Sequence, residues 1–224
     1  MSNSLRIVSP SIRGRRNSSM YFFKKPANIY MMENNLKIAV SGAAELDTCS
    51  KDAARLAEEV GKEIIRQGCV LITGATTGIP YLSAKAAKKA GGISIGFSPA
   101  ASKIAHVKAY KLPTDCFDVI VYTGFDYAGR NLLMTRAADG IIVICGRMGT
   151  LNEFTIAFED QKPIGVLEGS GGTADIIRGL TKMPSRNKKK IIYEKDPKKL
   201  VEKLINSIKK GRVQKNKTLE YARK

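Results

Sequence analysis

The chain has 224 residues and a formal net charge of +18, with 43% hydrophobic and 26% charged residues. That length supports one well-cored domain without requiring two, and the composition is ordinary for a globular protein. No stretch nears the roughly 20 apolar residues a membrane-crossing helix needs, so no membrane role is expected. The charge is uneven: residues 1–35 carry +5, residues 181–224 carry +12, and residues 36–180 only +1. Basic ends of this kind read as solvated tails before they read as a polyanion surface, so the charge alone does not make a nucleic-acid protein. Four cysteines (Cys49, Cys69, Cys116, Cys145) show no paired spacing, and the single histidine, His106, cannot build a metal site alone. The expectation is free thiols in a reducing, cytoplasmic setting, with no disulfide framework, no metal and no cofactor.

Residues 1–35 lack periodicity and are rich in Ser, Asn and Arg, which predicts a disordered basic extension, or a true start at Met31 or Met32. Leu36 to Val40 reads as a first strand ending at Ser41-Gly42. Thr48 or Ser50 is placed to cap a helix whose apolar residues, Ala53, Leu56, Ala57, Val60 and Ile64, follow the three-and-four spacing of a buried face. Cys69 to Thr73 is a second strand, Gly74 to Gly78 a small-residue turn, and Pro80 suits the first turn of a helix ending at Gly91-Gly92. Ile93 to Phe97 is a third strand, followed by an irregular connector from Pro99 to Pro113. Asp118 to Tyr122 is a fourth strand, and a helix runs from about Tyr127 to Ala138.

The fifth strand, Ile141 to Cys145, stops at Gly146-Arg147-Met148-Gly149, and Thr150 opens another helical pattern. A buried strand running through a glycine turn into a helix N-terminus aims free backbone N–H groups at one spot, which suits an anion, above all a phosphate. Ile164 to Leu167 is a sixth strand, Gly169 to Gly172 a flexible turn, and Ala174 to Leu180 a helix. After a basic loop, Arg186 to Lys190, come a short strand, Ile191 to Tyr193, and an amphipathic helix, Pro197 to Lys210. Strands alternating with helices predict an α/β fold: a doubly wound, mostly parallel sheet in one domain, about residues 36–210, with basic flexible ends at 1–35 and 211–224. In such sheets ligands bind outside the carboxyl ends of the strands. The turns leaving those ends are Ser41-Gly42, Gly74 to Gly78, Thr123-Gly124 and Gly146 to Thr150, all built from small residues.

Three stretches resemble the Lonely Guy (LOG) superfamily of Rossmann-like nucleotide binders, which includes cytokinin-activating phosphoribohydrolases and molybdenum-cofactor carriers. Gly146-Arg-Met-Gly149-Thr150-Leu-Asn-Glu153 is similar to its PGGxGTxxE signature, Gly74-Ala-Thr-Thr-Gly78-Ile to its GGGxxGLM turn, and Gly129-Arg130-Asn131-Leu-Leu-Met134 to its RKxxM helix. The matches fall in order over about residues 36–168. Three positions depart from the pattern: Cys145 for the proline, Arg147 for the second glycine and Asn131 for the lysine. Nucleotide or phosphate binding carries over better than catalysis. The resemblance also implies a homodimer.

By that resemblance Glu153 and Arg130 are the catalytic candidates, acting on the N-glycosidic bond of a nucleoside 5′-monophosphate. A carboxylate stabilises the oxocarbenium character that builds on the ribose, or activates water. Thr150-x-x-Glu153 is equally a capping box, and both roles are compatible. Arg130 suits an oxyanion, with a surface position beside Asp126 as the plain alternative. Asp126 is a weaker second carboxylate. Gly42, Gly74, Thr77, Gly78, Gly146, Gly149 and Thr150 are the phosphate-cradle candidates, and Arg147 either adds a phosphate contact or fills the space a glycine would leave. Arg136 and Asp139 suit helix-end electrostatics. Three functions compete: a phosphoribohydrolase, a non-catalytic carrier of a nucleotide or molybdopterin-like phosphate, and a nucleic-acid binder of the DprA type acting through the basic ends. The balanced core and the lack of an aromatic-basic platform count against the third.

Overall fold

The computed structural model describes residues 36–182 and 191–221, so the predicted extension at 1–35 and the basic loop at 186–190 lie outside the described residues. Seven strands form one sheet: β1 (Lys37–Gly42), β2 (Val70–Thr73), β3 (Ser94–Ser98), β4 (Val119–Tyr122), β5 (Gly140–Ile144), β6 (Ile164–Leu167) and β7 (Ile191–Glu194). Six helices connect or follow them: α1 (Ala53–Arg66), α2 (Ile79–Lys89), α3 (Asp126–Ala137), α4 (Met148–Glu159), α5 (Gly172–Leu180) and α6 (Pro197–Tyr221). The predicted α/β class and the order of elements are observed. The sheet is parallel throughout, in the order β4-β3-β2-β1-β5-β6-β7.

That order positions the site. The chain winds outward from β1 through β2 and β3 to β4, returns to place β5 on the other side of β1, and winds outward again. Connections leaving β1 and β5 therefore diverge to opposite faces, opening a crevice at their carboxyl ends. Here Gly42 pairs with Ile144. A Cβ on Gly42 would come within 2.5 Å of both the Ile144 carbonyl and the Ile79 side chain, so only glycine lets β1, β5 and α2 approach this closely.

The central strands bury both faces, as a parallel sheet requires, while edge strand β4 leaves Val119 and Val121 exposed. On β1 and β5, Ile38, Val40, Ile142 and Ile144 join the core under α1, α2 and α6, while Ala39, Ile141 and Val143 join the core under α3, α4 and α5. In α1 the residues Ala53, Ala57, Val60 and Ile64 are buried, the stripe read from their spacing. Burying a side chain such as Ile64 stabilises the fold by roughly 1.5–3 kcal/mol.

Three local expectations are corrected. Neither Thr48 nor Ser50 caps α1, whose N-cap is Asp52 without a side-chain bond. The backbone of Ser50 instead donates to Ser170 O at 3.0 Å, and Cys49 bridges to Gly171. The connector from Pro99 to Pro113 contains a π-helical turn, Ala105–Ala109. It is fixed by His106, which is fully buried between Ser98 Oγ (2.8 Å) and the Pro113 carbonyl (3.0 Å) and is therefore structural. Helix α6 continues past Gly211 to Tyr221, where the sequence predicts a patternless tail. Arg212 in that continuation donates to Asp139 (2.7 Å), which also accepts from the Lys37 backbone (2.8 Å), so Asp139 joins β1, β5 and α6.

Cys49 and Cys145 form a disulfide, against the expectation of four free thiols. The bonded residues are 96 apart in sequence; the adjacency of β1 and β5 and the contacts of both sides with Ser170 and Gly171 bring them together. Cys69 and Cys116 are free and buried, and burial pushes their thiols up to about 11 and about 12.

Candidate functional site

A cleft of about 340 Å³ opens where β1 and β5 diverge. Its walls come from the end of β1 (Val40 to Glu45), the turn after β2 (Gly74, Thr76), α3 (Tyr127, Arg130, Asn131) and the start of α4 (Arg147, Gly149, Thr150, Glu153). Three predicted motifs, distant in sequence, meet in this one space.

Two helix N-termini stand beside it, and they differ. Helix α4 begins at Met148, with Arg147 as an N-cap in extended conformation and no side-chain cap. The first helical hydrogen bond is Leu151 N–H to Arg147 O (3.0 Å), so the N–H groups of residues 148–150 have no partner among the described residues. Nothing lies within 4 Å of where a Gly149 Cβ would be, which leaves the backbone open to a ligand. At α2 the donors are largely occupied or missing. Ile79 N–H donates to Ala43 O (2.9 Å), and Pro80 has none to give.

On the cleft floor Arg130 and Glu153 form an ion pair (3.2 Å), their side chains 6% and 7% exposed. The Ser41 hydroxyl donates to the other Glu153 oxygen. The Asn131 amide is best satisfied with its nitrogen donating to Glu153 Oε1 and to the Tyr127 carbonyl, each 2.9 Å away. Burial raises the Glu153 carboxyl above the ordinary glutamate range, with Arg130 and Ser41 pulling the other way. Burial likewise lowers the Arg130 guanidinium, and the Glu153 charge opposes it. Arg130 Nε is buried without a partner among the described residues. The guanidinium lies on Gly74, where a Cβ would come within 1.8 Å of Nη1.

At the mouth Arg147 bonds Asp47 and pairs with Glu45 (2.8 Å), two acids of the β1–α1 loop, which raise its pKa. No group of three or more His, Cys, Asp or Glu side chains placed to hold a metal occurs among the described residues.

Residues 35–201 match the SLOG cluster4 family. The chain belongs to that family. The LOG resemblance read from the three motifs is thereby borne out. An uncharacterized protein from Archaeoglobus fulgidus is 32% identical over 133 residues, which is 59% of this chain and 80% of the relative. Among solved structures, the molybdenum cofactor binding protein from Rippkaea orientalis is similar (26% identity, TM-score 0.64, covering 79% of this chain and 98% of the other). DNA processing protein A from Helicobacter pylori is similar in fold (16% identity, TM-score 0.56, 79% and 83% covered). SLOG membership and the Rossmann-like sheet account for the order of the motifs along the chain.

The structure brings Gly42, Gly74, Arg130, Arg147, Gly149, Thr150 and Glu153 to the cleft, but some in other roles than the sequence suggests. Glu153 is no helix cap. Helix α4 starts two residues before Thr150, so Thr150 is its third residue, and the glutamate turns inward to Arg130 and Ser41. Gly74 seats a guanidinium, and Gly146, in the left-handed region (φ +108°), lies against the Thr150 side chain. Thr77 and Gly78 do not line the cleft: the Thr77 hydroxyl donates to Ala44 O (2.9 Å), and Gly78 lies against the Ala43 and Ala44 carbonyls. Asp126 is exposed, bonded to the Tyr110 hydroxyl and separate from the cleft, so it is neither Arg130's partner nor a second carboxylate. Arg136 pairs with Asp160 at the surface (3.1 Å). Ser41 and Thr76 lie in turns the sequence puts at the ligand side but were not among its candidate residues, and Glu45 was missed. The available signal for Ser41 was its place at the end of the first strand, where such folds bind ligands.

Proposed function

We propose that the cleft binds a nucleotide-like ligand, a phosphate joined to a flat heterocycle, with the phosphate on the N-terminus of α4. The observation that carries this reading is that α4 keeps its first-turn N–H groups free beside a glycine, in the crevice of the sheet. Arg130 lines the same cleft, with its guanidinium paired to Glu153 on the floor. A nucleoside 5′-monophosphate has this shape, and so does a phosphorylated pterin such as the cofactor bound by the Rippkaea protein. The likeness to the Helicobacter protein is one of fold and adds no nucleic-acid role. We further propose a homodimer, as the family resemblance implies, and the exposed apolar residues Val119, Val121, Phe125 and Leu133 on β4 and around α3 suit self-association. Light scattering at micromolar concentration tests that.

A hydrolytic reading is favoured by one observation: Glu153 faces the cleft instead of capping its helix. With the phosphate on α4, the ribose would lie over the carboxylate. Water would add to C1′, the N-glycosidic bond would break with its electron pair going to the base, and Glu153 would stabilise the cationic ribose or take the water's proton. Incubation with AMP and other nucleoside monophosphates tests both readings. Binding without release of base supports a carrier; release of base and ribose 5-phosphate that Glu153→Gln abolishes supports the hydrolase. No binding of any monophosphate or phosphorylated pterin would contradict the site itself.

A further inference from the structure

The Cys49–Cys145 disulfide has no part in the function just proposed, yet it sits at the cleft. Cys145 is the residue before Gly146, at the entrance to the turn that leads into α4, and Cys49 ends the exposed stretch of the β1–α1 loop. The two sides are held very differently apart from the sulfur bridge. Cys145 is fully buried, its N–H donates to Ser170 Oγ (2.8 Å), its carbonyl accepts from Ala174 N (2.9 Å), and Gly146 O accepts from Thr173 N (2.9 Å). The turn before α4 is therefore anchored to α5 whether or not the bridge exists. Residues 44–48, by contrast, are all exposed. They are tied by the Thr77 hydroxyl on Ala44, by Cys49 N–H on Leu46 O (3.0 Å), and by Glu45 and Asp47 on Arg147. Behind them Cys49 pairs with Gly171 and Ser50 N–H donates to Ser170 O (3.0 Å), so the part of the loop free to move is residues 44–48. The bridge fixes the loop that carries two acids across the mouth of an anion site.

We propose that Cys49–Cys145 is a redox latch on this cleft. Oxidised, it holds Glu45 and Asp47 against Arg147, so the mouth presents a neutralised arginine and two carboxylates to an incoming phosphate. Reduced, the loop moves away, the acids withdraw, and Arg147 becomes available to the ligand. The half-buried Cys49 sulfur is the point of attack, since Cys145 is out of solvent. The thiolate of a dithiol reductant attacks Cys49 Sγ and the S–S bond breaks. Cys145 leaves as a thiolate and takes up a proton. The reductant's second thiol then displaces Cys49 as a thiol and closes the reductant's own disulfide, so two electrons pass from dithiol to protein. The effect on ligand affinity rests on the phosphate reading of the cleft; the latch does not.

The test uses the full chain, oxidised and after treatment with dithiothreitol. Alkylation followed by mass spectrometry under denaturing conditions counts the thiols, with Cys69 and Cys116 as the constant pair. Hydrogen exchange follows residues 43–50, and calorimetric titration with AMP follows the ligand. Reduction is expected to open Cys49–Cys145 in the folded protein, to speed exchange in residues 43–50 while residues 145–150 change little, and to tighten AMP binding about tenfold. Cys49→Ser and Cys145→Ser should each match the reduced protein and ignore dithiothreitol, with near-ultraviolet circular dichroism confirming that they fold. A bridge that yields only on unfolding, or exchange in residues 43–50 that is equal in both states, would overturn the latch. Exchange that changes while AMP binds neither form would leave the latch standing and sink the phosphate reading. Exchange that changes while AMP binds both forms equally would overturn the coupling between them.

Discussion

The two glycine turns, Gly74 to Gly78 after β2 and Gly146 to Gly149 after β5, look alike as sequences and do opposite things. The first lets parts of the protein approach one another: Gly74 takes a guanidinium, Gly78 takes two carbonyls, and the donor of Ile79 is used by Ala43. The second leaves the N–H groups of residues 148–150 without a partner among the described residues, facing a cleft. A glycine reports that something comes close to the backbone; it does not say whether that something is the chain itself or a ligand. Substitutions separate the two cases.

The largest effect is expected at Gly78. A Cβ there would lie 2.3 Å from Ala43 O, on a backbone at φ +65° and ψ −134°. Gly78→Ala should cost about 4 kcal/mol of stability in urea melts, because rigid backbone stands where the methyl must go. Arg130→Met comes next, with a loss of about 3 kcal/mol, since it leaves the Glu153 carboxylate buried without its cation. Pairing it with Glu153→Gln should recover a good part of that loss without restoring ligand binding. Gly149→Ala should behave in the opposite way to Gly78→Ala. It should hold stability within about 1 kcal/mol of the parent, because helix propensity rises and nothing is displaced, while binding of AMP weakens by about tenfold or more. If both glycine variants lost stability alike, the contrast between the turns would be wrong.

The smallest effect is the pH dependence of the floor. Because burial raises the Glu153 carboxyl, the fold holds that proton more tightly than the unfolded chain does. The associated stability is fully present below the unfolded glutamate pKa and is lost as pH rises through the raised folded value. The slope is at most about 1.4 kcal/mol per pH unit. Melts of the parent and of Glu153→Gln between pH 4 and 8 should differ by this slope, which the glutamine variant lacks.

The fold was legible because each strand is a short apolar run between small-residue turns, and a helical stripe such as Ala53, Ala57, Val60 and Ile64 has one reading. Strand order was not, since nothing local in β1 says that β5 will lie beside it, and the crevice depends on that order. At the site, the motif found Glu153 and Arg130, but Thr-x-x-Glu spacing serves a cap and an inward carboxylate equally. Only the start of α4 at Met148 decides between them. Thr77 was placed one residue from Thr76, which does line the cleft, because a turn offers no period from which to read side-chain direction. The Cys49–Cys145 bridge was hidden for the same reason as the crevice. Its partners become neighbours through the β1–β5 pairing and the segment at Ser170 and Gly171, both distant in sequence from Cys49.

The central claim is that α4, and not α2, presents its N-terminus to a phosphate. A titration of isotope-labelled protein with AMP, followed by backbone amide resonances, addresses it residue by residue. The N–H groups of Met148, Gly149 and Thr150 should show the largest shifts, while Ile79 barely moves. Shifts centred on Gly78 and Ile79, or none at residues 148–150 while AMP binds, would contradict the account.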